Sequence, residues 1–180
     1  MQTHQLVPHP DHPALAVQGV TVSVNTDSPH WLRLRWRIEG ARKLVVPPFA
    51  GRGRADGLWR TTCFELFLKP EGGEAYLELN LSPSERWNAY HFDAYRAGMR
   101  EAPMPRDPGC TIRRGAGIAI FDAAVPVAGL PAADSALGIS AVIEEEGGPI
   151  SYWALAHPAG KADFHAPACF AATLAAPVAP

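Results

Sequence analysis

The sequence predicts an all-β fold, an antiparallel β-sandwich of jelly-roll or immunoglobulin-like kind with about nine to eleven strands, in one domain over residues 1–180. Three observations predict it. The chain carries 16 Gly and 18 Pro among 180 residues, punctuation too frequent for long helices. Several runs alternate apolar and polar residues with a period of two. Those runs recur about every 8–12 residues with turn-forming residues between them, as in sandwiches and barrels.

Taken in order, the Pro- and His-bearing lead over residues 1–15 is expected as a flexible end. Residues 17–24 and 31–39 read as the first strands, parted by Asn25, Asp27, Ser28 and Pro29. The second is the clearest, because Leu32, Leu34, Trp36 and Ile38 alternate with Arg33, Arg35 and Arg37. Residues 44–46 suggest a short strand, and the Gly, Pro and Arg content of residues 47–57 suggests a loop. Residues 59–68, 75–82 and 86–95 read as a meander with hairpin-length turns at residues 70–73 and 83–85. Residues 110–118, 121–127, 136–144, 150–156 and 170–174 supply further strands, residues 145–149 a turn, and residues 126–136 at most one helical turn. The tail over residues 175–180 is expected to be flexible. The expected core is Leu32, Leu34, Trp36, Ile38, Phe64, Leu66, Leu77, Leu79 and Leu81.

Composition narrows the function. Hydrophobic residues make up 47% and charged residues 19%, which suits a packed chain rather than a disordered one. A net charge of −2 provides no positive field for a polyanion, so no nucleic-acid partner is expected. No apolar run approaches the roughly 20 residues of a membrane-spanning helix, and the first residues lack a basic and apolar leader. A cytoplasmic location and no membrane partner are therefore expected. Cys63, Cys110 and Cys169 are odd in number and widely spaced, which signals neither a disulfide framework nor a zinc site.

The chemistry concentrates in the meander. Parity places Leu77, Leu79 and Leu81 on one face and Tyr76, Glu78 and Asn80 on the other, and likewise sets Phe64, Leu66 and Leu68 opposite Cys63, Glu65 and Phe67. The strand from Arg86 is aromatic on both parities, so either Trp87 or Tyr90 joins the polar face. Carboxylates, an amide and flat rings together suit a sugar, whose hydroxyls need acceptors and donors and whose C–H faces stack on rings. The bland alternative is that Glu65, Glu78 and Asn80 are structural polar groups satisfied by their neighbours. Two glutamates on adjacent strands could also supply the carboxyl spacing of glycosidases, but no other hydrolytic motif accompanies them, and a non-enzyme is expected. His91, His157, His165 and Met99 are isolated candidates for haem or metal ligation, with no metal-ligand spacing among them.

The segments Leu58-Trp-Arg-Thr-Thr-Cys-Phe-Glu-Leu-Phe67, Tyr76-Leu-Glu-Leu-Asn-Leu-Ser-Pro-Ser84, Trp87-Asn-Ala-Tyr-His-Phe92 and Tyr95-Arg-Ala-Gly-Met99 resemble the DOMON-like domains, which are related to the family 9 carbohydrate-binding modules. Tyr152-Trp-Ala-Leu-Ala-His-Pro158 and Asp163-Phe-His165 are similar to the same group, so the resemblance spans about residues 30–170. It implies a β-sandwich that binds a small molecule without catalysis, most readily a carbohydrate or sugar derivative. By motif position it implies Trp59, Arg60, Glu65, Tyr76, Glu78, Asn80, Trp87 and Tyr90 as ligand-face residues. Standing against that are a haem-binding redox domain, as in other members, and a structural or interaction domain with no small ligand. No metal and no obligatory cofactor is expected.

Overall fold

The structure, a computed structural model, describes residues 1–177. It is all-β. The strands are β1 (Gln2–Pro8), β2 (Gly19–Asn25), β3 (Trp31–Glu39), β4 (Gly53–Arg54), β5 (Cys63–Pro70), β6 (Tyr76–Leu81), β7 (Arg86–Phe92), β8 (Arg100–Glu101), β9 (Gly109–Arg114), β10 (Ile118–Pro126), β11 (Ser135–Glu144), β12 (Ile150–Ala154) and β13 (Ala172–Leu174). Hydrogen bonds link eleven of them in the order β4-β7-β6-β5-β11-β12-β1-β2-β3-β10-β9, with β13 beside β11 and β8 beside β7.

The result is one curled, mixed sheet and not two separate antiparallel sheets. β4 runs parallel to β7, and the remaining strand pairs are antiparallel. The join is β1, whose residues Gln2 to Leu6 pair with β2 while Val7 and Pro8 pair with β12. The lead expected to be flexible is thus a central strand. Its composition argues against that, but an unpaired edge on each side offers backbone partners, and tertiary pairing outweighs a weak strand propensity. Leu6, 1% exposed, anchors it. Of the tail, residues 178–180 lie outside the described residues.

Curling brings the arms face to face. Phe64 of β5 stacks on Phe121 of β10 at 4.2 Å and tilts against Trp36 of β3 at 5.3 Å between ring centroids. Every residue of the expected core is buried. Smaller expectations differ: residues 44–46 make only an isolated bridge, Leu44 to Glu145, and the loop over residues 47–57 contains β4. The helical turn expected within residues 126–136 is a single 3-10 turn, Val127–Gly129. No helix among the described residues is long and apolar enough to cross a membrane.

β5, β6 and β7 position the site because both of their faces are covered. The inner face joins the main core. The outer face carries a second apolar cluster of Phe67, Tyr76, Tyr90 and Phe92, capped by Phe164 and Phe170 from the segment after β12.

Candidate functional site

Register fixes the polar groups on the outer face of the meander. Glu65 on β5 lies opposite Asn80 on β6 and Ser140 on β11, while Glu78 lies opposite Phe67 and Tyr90. Glu65 and Glu78 are therefore diagonal neighbours, at a separation of roughly 7–8 Å between backbones that long side chains can close. Both line a cavity of about 560 Å³, within the range of small-ligand sites. Its other walls include Trp59, Arg96, Tyr152, Phe164 and His165.

Each carboxyl is half satisfied. Ser140 Oγ donates to Glu65 Oε2 at 3.1 Å, and Asn80 Nδ2 donates to Glu78 Oε1 at 2.7 Å. Burial, with the neighbouring Glu78 charge behind it, pushes Glu65 up to about 8. Burial also pushes Glu78 up to about 7, against the opposing pull of its Asn80 bond and of Arg96. Burial and a neighbouring negative charge act by disfavouring the ionised form, and two such groups sharing a site resist carrying charge together.

A hydrogen-bonded chain orients the imidazole above them. The Tyr76 hydroxyl accepts the Arg96 backbone N–H at 3.2 Å and meets His165 Nδ1 at 2.7 Å. With the Arg96 N–H on its oxygen, the hydroxyl is free to donate to Nδ1, and the other ring nitrogen, Nε2, faces Glu78 Oε2 at 3.6 Å. Burial, aided by the Arg96 charge, pushes His165 down to about 4, which keeps it neutral. Asp163 secures the loop, accepting from Arg96 Nη2 at 2.6 Å, from the His165 backbone N–H at 3.0 Å and from the Tyr95 hydroxyl. Burial opposes its ionisation, but the bonds from Arg96, Tyr95 and His165 hold Asp163 below the usual carboxylate range.

Two turns deliver the rim. Trp59 sits on the 3-10 turn Leu58–Arg60, entered through Gly57 at φ 70, a conformation that suits glycine. Arg96 and Met99 lie on the turn after β7, where Gly98 has φ 67 and a side chain would collide with Asp93.

The eight expected ligand-face residues divide. Trp59, Glu65 and Glu78 line the cavity. Asn80 supports Glu78, and Tyr76 supports His165, one layer behind. Tyr90 is on the same face but is buried, with its hydroxyl donated to Asp56. Arg60 is exposed, its side chain folded back beside Gly57, and does not line the cavity. Trp87 is displaced most: it pairs with Leu81, packs in the main core at 2% exposure, and holds the Arg54 guanidinium 4.3 Å from its ring. Beside Leu81, the inner parity belongs to Trp87 and Ala89, leaving Asn88 and Tyr90 outside. Arg96, Tyr152, Lys161, Asp163, Phe164 and His165 line the cavity but lie outside the expected ligand-face set, although the motif segments contain all of them except Lys161.

No family model matches the chain, and no curated protein matches its sequence. Solved structures do. A candidate carbohydrate-binding protein from Bacteroides uniformis superposes with a TM-score of 0.63 over 97% of this chain and 85% of that one, at 18% identity. A family 9 carbohydrate-binding module from Caldicellulosiruptor kristjanssonii, in complex with glucose, gives a TM-score of 0.52 over 82% of this chain and 71% of that one, at 8% identity. In fold, this chain is similar to a carbohydrate-binding module. At such identities the similarity is one of backbone, and the residues of the cavity must speak for its chemistry.

Proposed function

We propose that this protein binds a carbohydrate or sugar derivative in the cavity over β5 and β6, without transforming it. The same reading takes the chain as a DOMON-like domain, its curled sheet a sandwich whose two layers are joined through β1. The observation that carries the reading is the combination in one cavity of two buried carboxyls, each with an oxygen to spare, and the rings of Trp59, Tyr152 and Phe164. Hydroxyls pair with the former and sugar C–H faces with the latter. The fold neighbours support a sugar at the level of architecture.

Haem fits these residues poorly. Met99 and His165 both line the cavity, but His165 Nδ1 is engaged by Tyr76 and its Nε2 faces Glu78 Oε2 at 3.6 Å. The propionates of a haem would add negative charge beside two carboxyls that already resist ionisation.

Titration calorimetry against a panel of mono- and disaccharides tests the proposal. A sugar should bind, Glu78→Gln should weaken it by about 1.5–3 kcal/mol with the fold intact, and aryl glycosides should not be hydrolysed. No binding across the panel, or hydrolysis abolished in Glu78→Gln, would overturn it.

A further inference from the structure

The charges around the cavity do not balance locally. Arg96 is bonded to Asp163 at 2.6 Å and acts on the two glutamates only from longer range, so among the described residues Glu65 and Glu78, 3% and 6% exposed, have no arginine or lysine within salt-bridge distance. The nearest basic group to Glu78 is His165 at 3.6 Å, and it is held neutral by burial. Lys161 lines the cavity from an exposed position and pairs with no carboxylate among the described residues. Each glutamate keeps one oxygen, Oε1 of Glu65 and Oε2 of Glu78, without a protein hydrogen bond. Burial pushes the neighbouring Cys63, Tyr76 and Tyr90 up, so they stay uncharged, and His12, also on the cavity wall, packs edge-on against Tyr152 at 4.7 Å and forms no ion pair with either glutamate.

We propose that the ligand of this cavity is an amino sugar, whose ammonium group sits between Glu65 and Glu78 and donates to the free oxygen of each. The assignment rests on the sugar-binding reading and names the class of sugar. An ammonium has three donors on one compact centre, which suits two acceptors on diagonal positions of adjacent strands. A neutral sugar would leave both carboxyls protonated or repelling, whereas a cation removes the repulsion and supplies the missing donors. Binding therefore displaces protons: those held by the two carboxyls near neutral pH pass to the solvent as the ammonium replaces them. Trp59 and Phe164 remain for the ring.

The test is calorimetry with glucosamine, galactosamine and mannosamine beside their N-acetyl forms, the parent hexoses and glucuronate. At least one amine should bind roughly tenfold or more tighter than its N-acetyl form and parent hexose. Its affinity should rise between pH 5 and pH 7, and its enthalpy should differ between phosphate and Tris buffers in the sense of proton release. Glu65→Gln and Glu78→Gln should each erase the preference for the amine, and Lys161→Met should strengthen amine binding about two- to threefold by removing a like charge. Parent hexoses or N-acetyl sugars binding as well as the amines would overturn the amino-sugar assignment and leave sugar binding standing. Preference for glucuronate, lost in Lys161→Met, would overturn it in favour of an anionic sugar. Silence across the whole panel would overturn both readings.

Discussion

Glu145 and the Glu65–Glu78 pair are all more than nine-tenths buried, at 2%, 3% and 6% exposure, yet their surroundings supply them very differently. Glu145 follows β11 and receives three backbone N–H groups, from Leu15 at 2.7 Å, Ala16 at 2.8 Å and Val17 at 3.1 Å. Both of its oxygens are used, and it ties the segment before β2 to the end of β11. Glu65 and Glu78 each receive one side-chain donor and turn the second oxygen to a cavity. A buried carboxylate saturated by backbone donors holds the fold, whereas one left short of donors, beside an open volume, is available to a ligand.

Removing the structural carboxylate should cost as much as truncating a core side chain. Glu145→Ala strands three N–H donors, that of Val17 buried and those of Leu15 and Ala16 half-buried, and should destabilise the protein by about 3–5 kcal/mol, read from a denaturant titration. A loss under about 0.5 kcal/mol would mean that water replaces the carboxylate and that the contrast with the cavity pair is only apparent.

The opposite sign is expected at the cavity. Ionised in the unfolded chain above about pH 4.5 but held protonated in the fold up to about 8, Glu65 makes the protein less stable as pH rises across that window. Glu65→Gln has nothing to ionise, so its melting temperature relative to the native protein should be nearly unchanged at pH 4 and higher by a few degrees at pH 8. His165 acts the other way, since a folded value of about 4 costs stability as pH falls below the ordinary imidazole range. Comparing variant with native protein at each pH cancels that contribution. A constant difference between the two melts from pH 4 to pH 8 would show that Glu65 is not short of donors.

The sequence showed one side of this comparison and hid the other. β3 falls at residues 31–39 as its alternation predicts, and the parity of β5 and β6 placed Glu65, Tyr76, Glu78 and Asn80 on one face because an apolar period of two leaves a single solution. Glu145 was legible only as part of a turn, because its donors come from a segment about 130 residues earlier in the chain. β1 was illegible for a related reason: it is a strand by virtue of the two edges it joins. Trp87 was ambiguous because aromatic residues occupy both parities of β7, and only pairing with Leu81 turns it inward. Arg96, Asp163 and His165 meet through turns and a loop, where no periodicity constrains direction.

The smallest effect separates the two tryptophans once grouped together as ring surface for the ligand. Trp59 is 40% exposed at the rim, with its ring 6.4 Å from that of Tyr90, while Trp87 is enclosed in the main core. Truncating an exposed ring leaves no cavity in the fold, so Trp59→Ala should alter unfolding free energy by less than about 0.5 kcal/mol. The same change removes the stacking surface offered to a sugar and should weaken its binding by about 0.5–1.5 kcal/mol in calorimetry. Trp87→Ala reverses the pattern, since losing a packed indole costs about 3–5 kcal/mol of stability without touching the cavity wall. If Trp59→Ala instead lowered stability and left affinity unchanged, the 3-10 turn that carries it would belong to the scaffold, and the ligand's ring would have to rest on Tyr152 or Phe164.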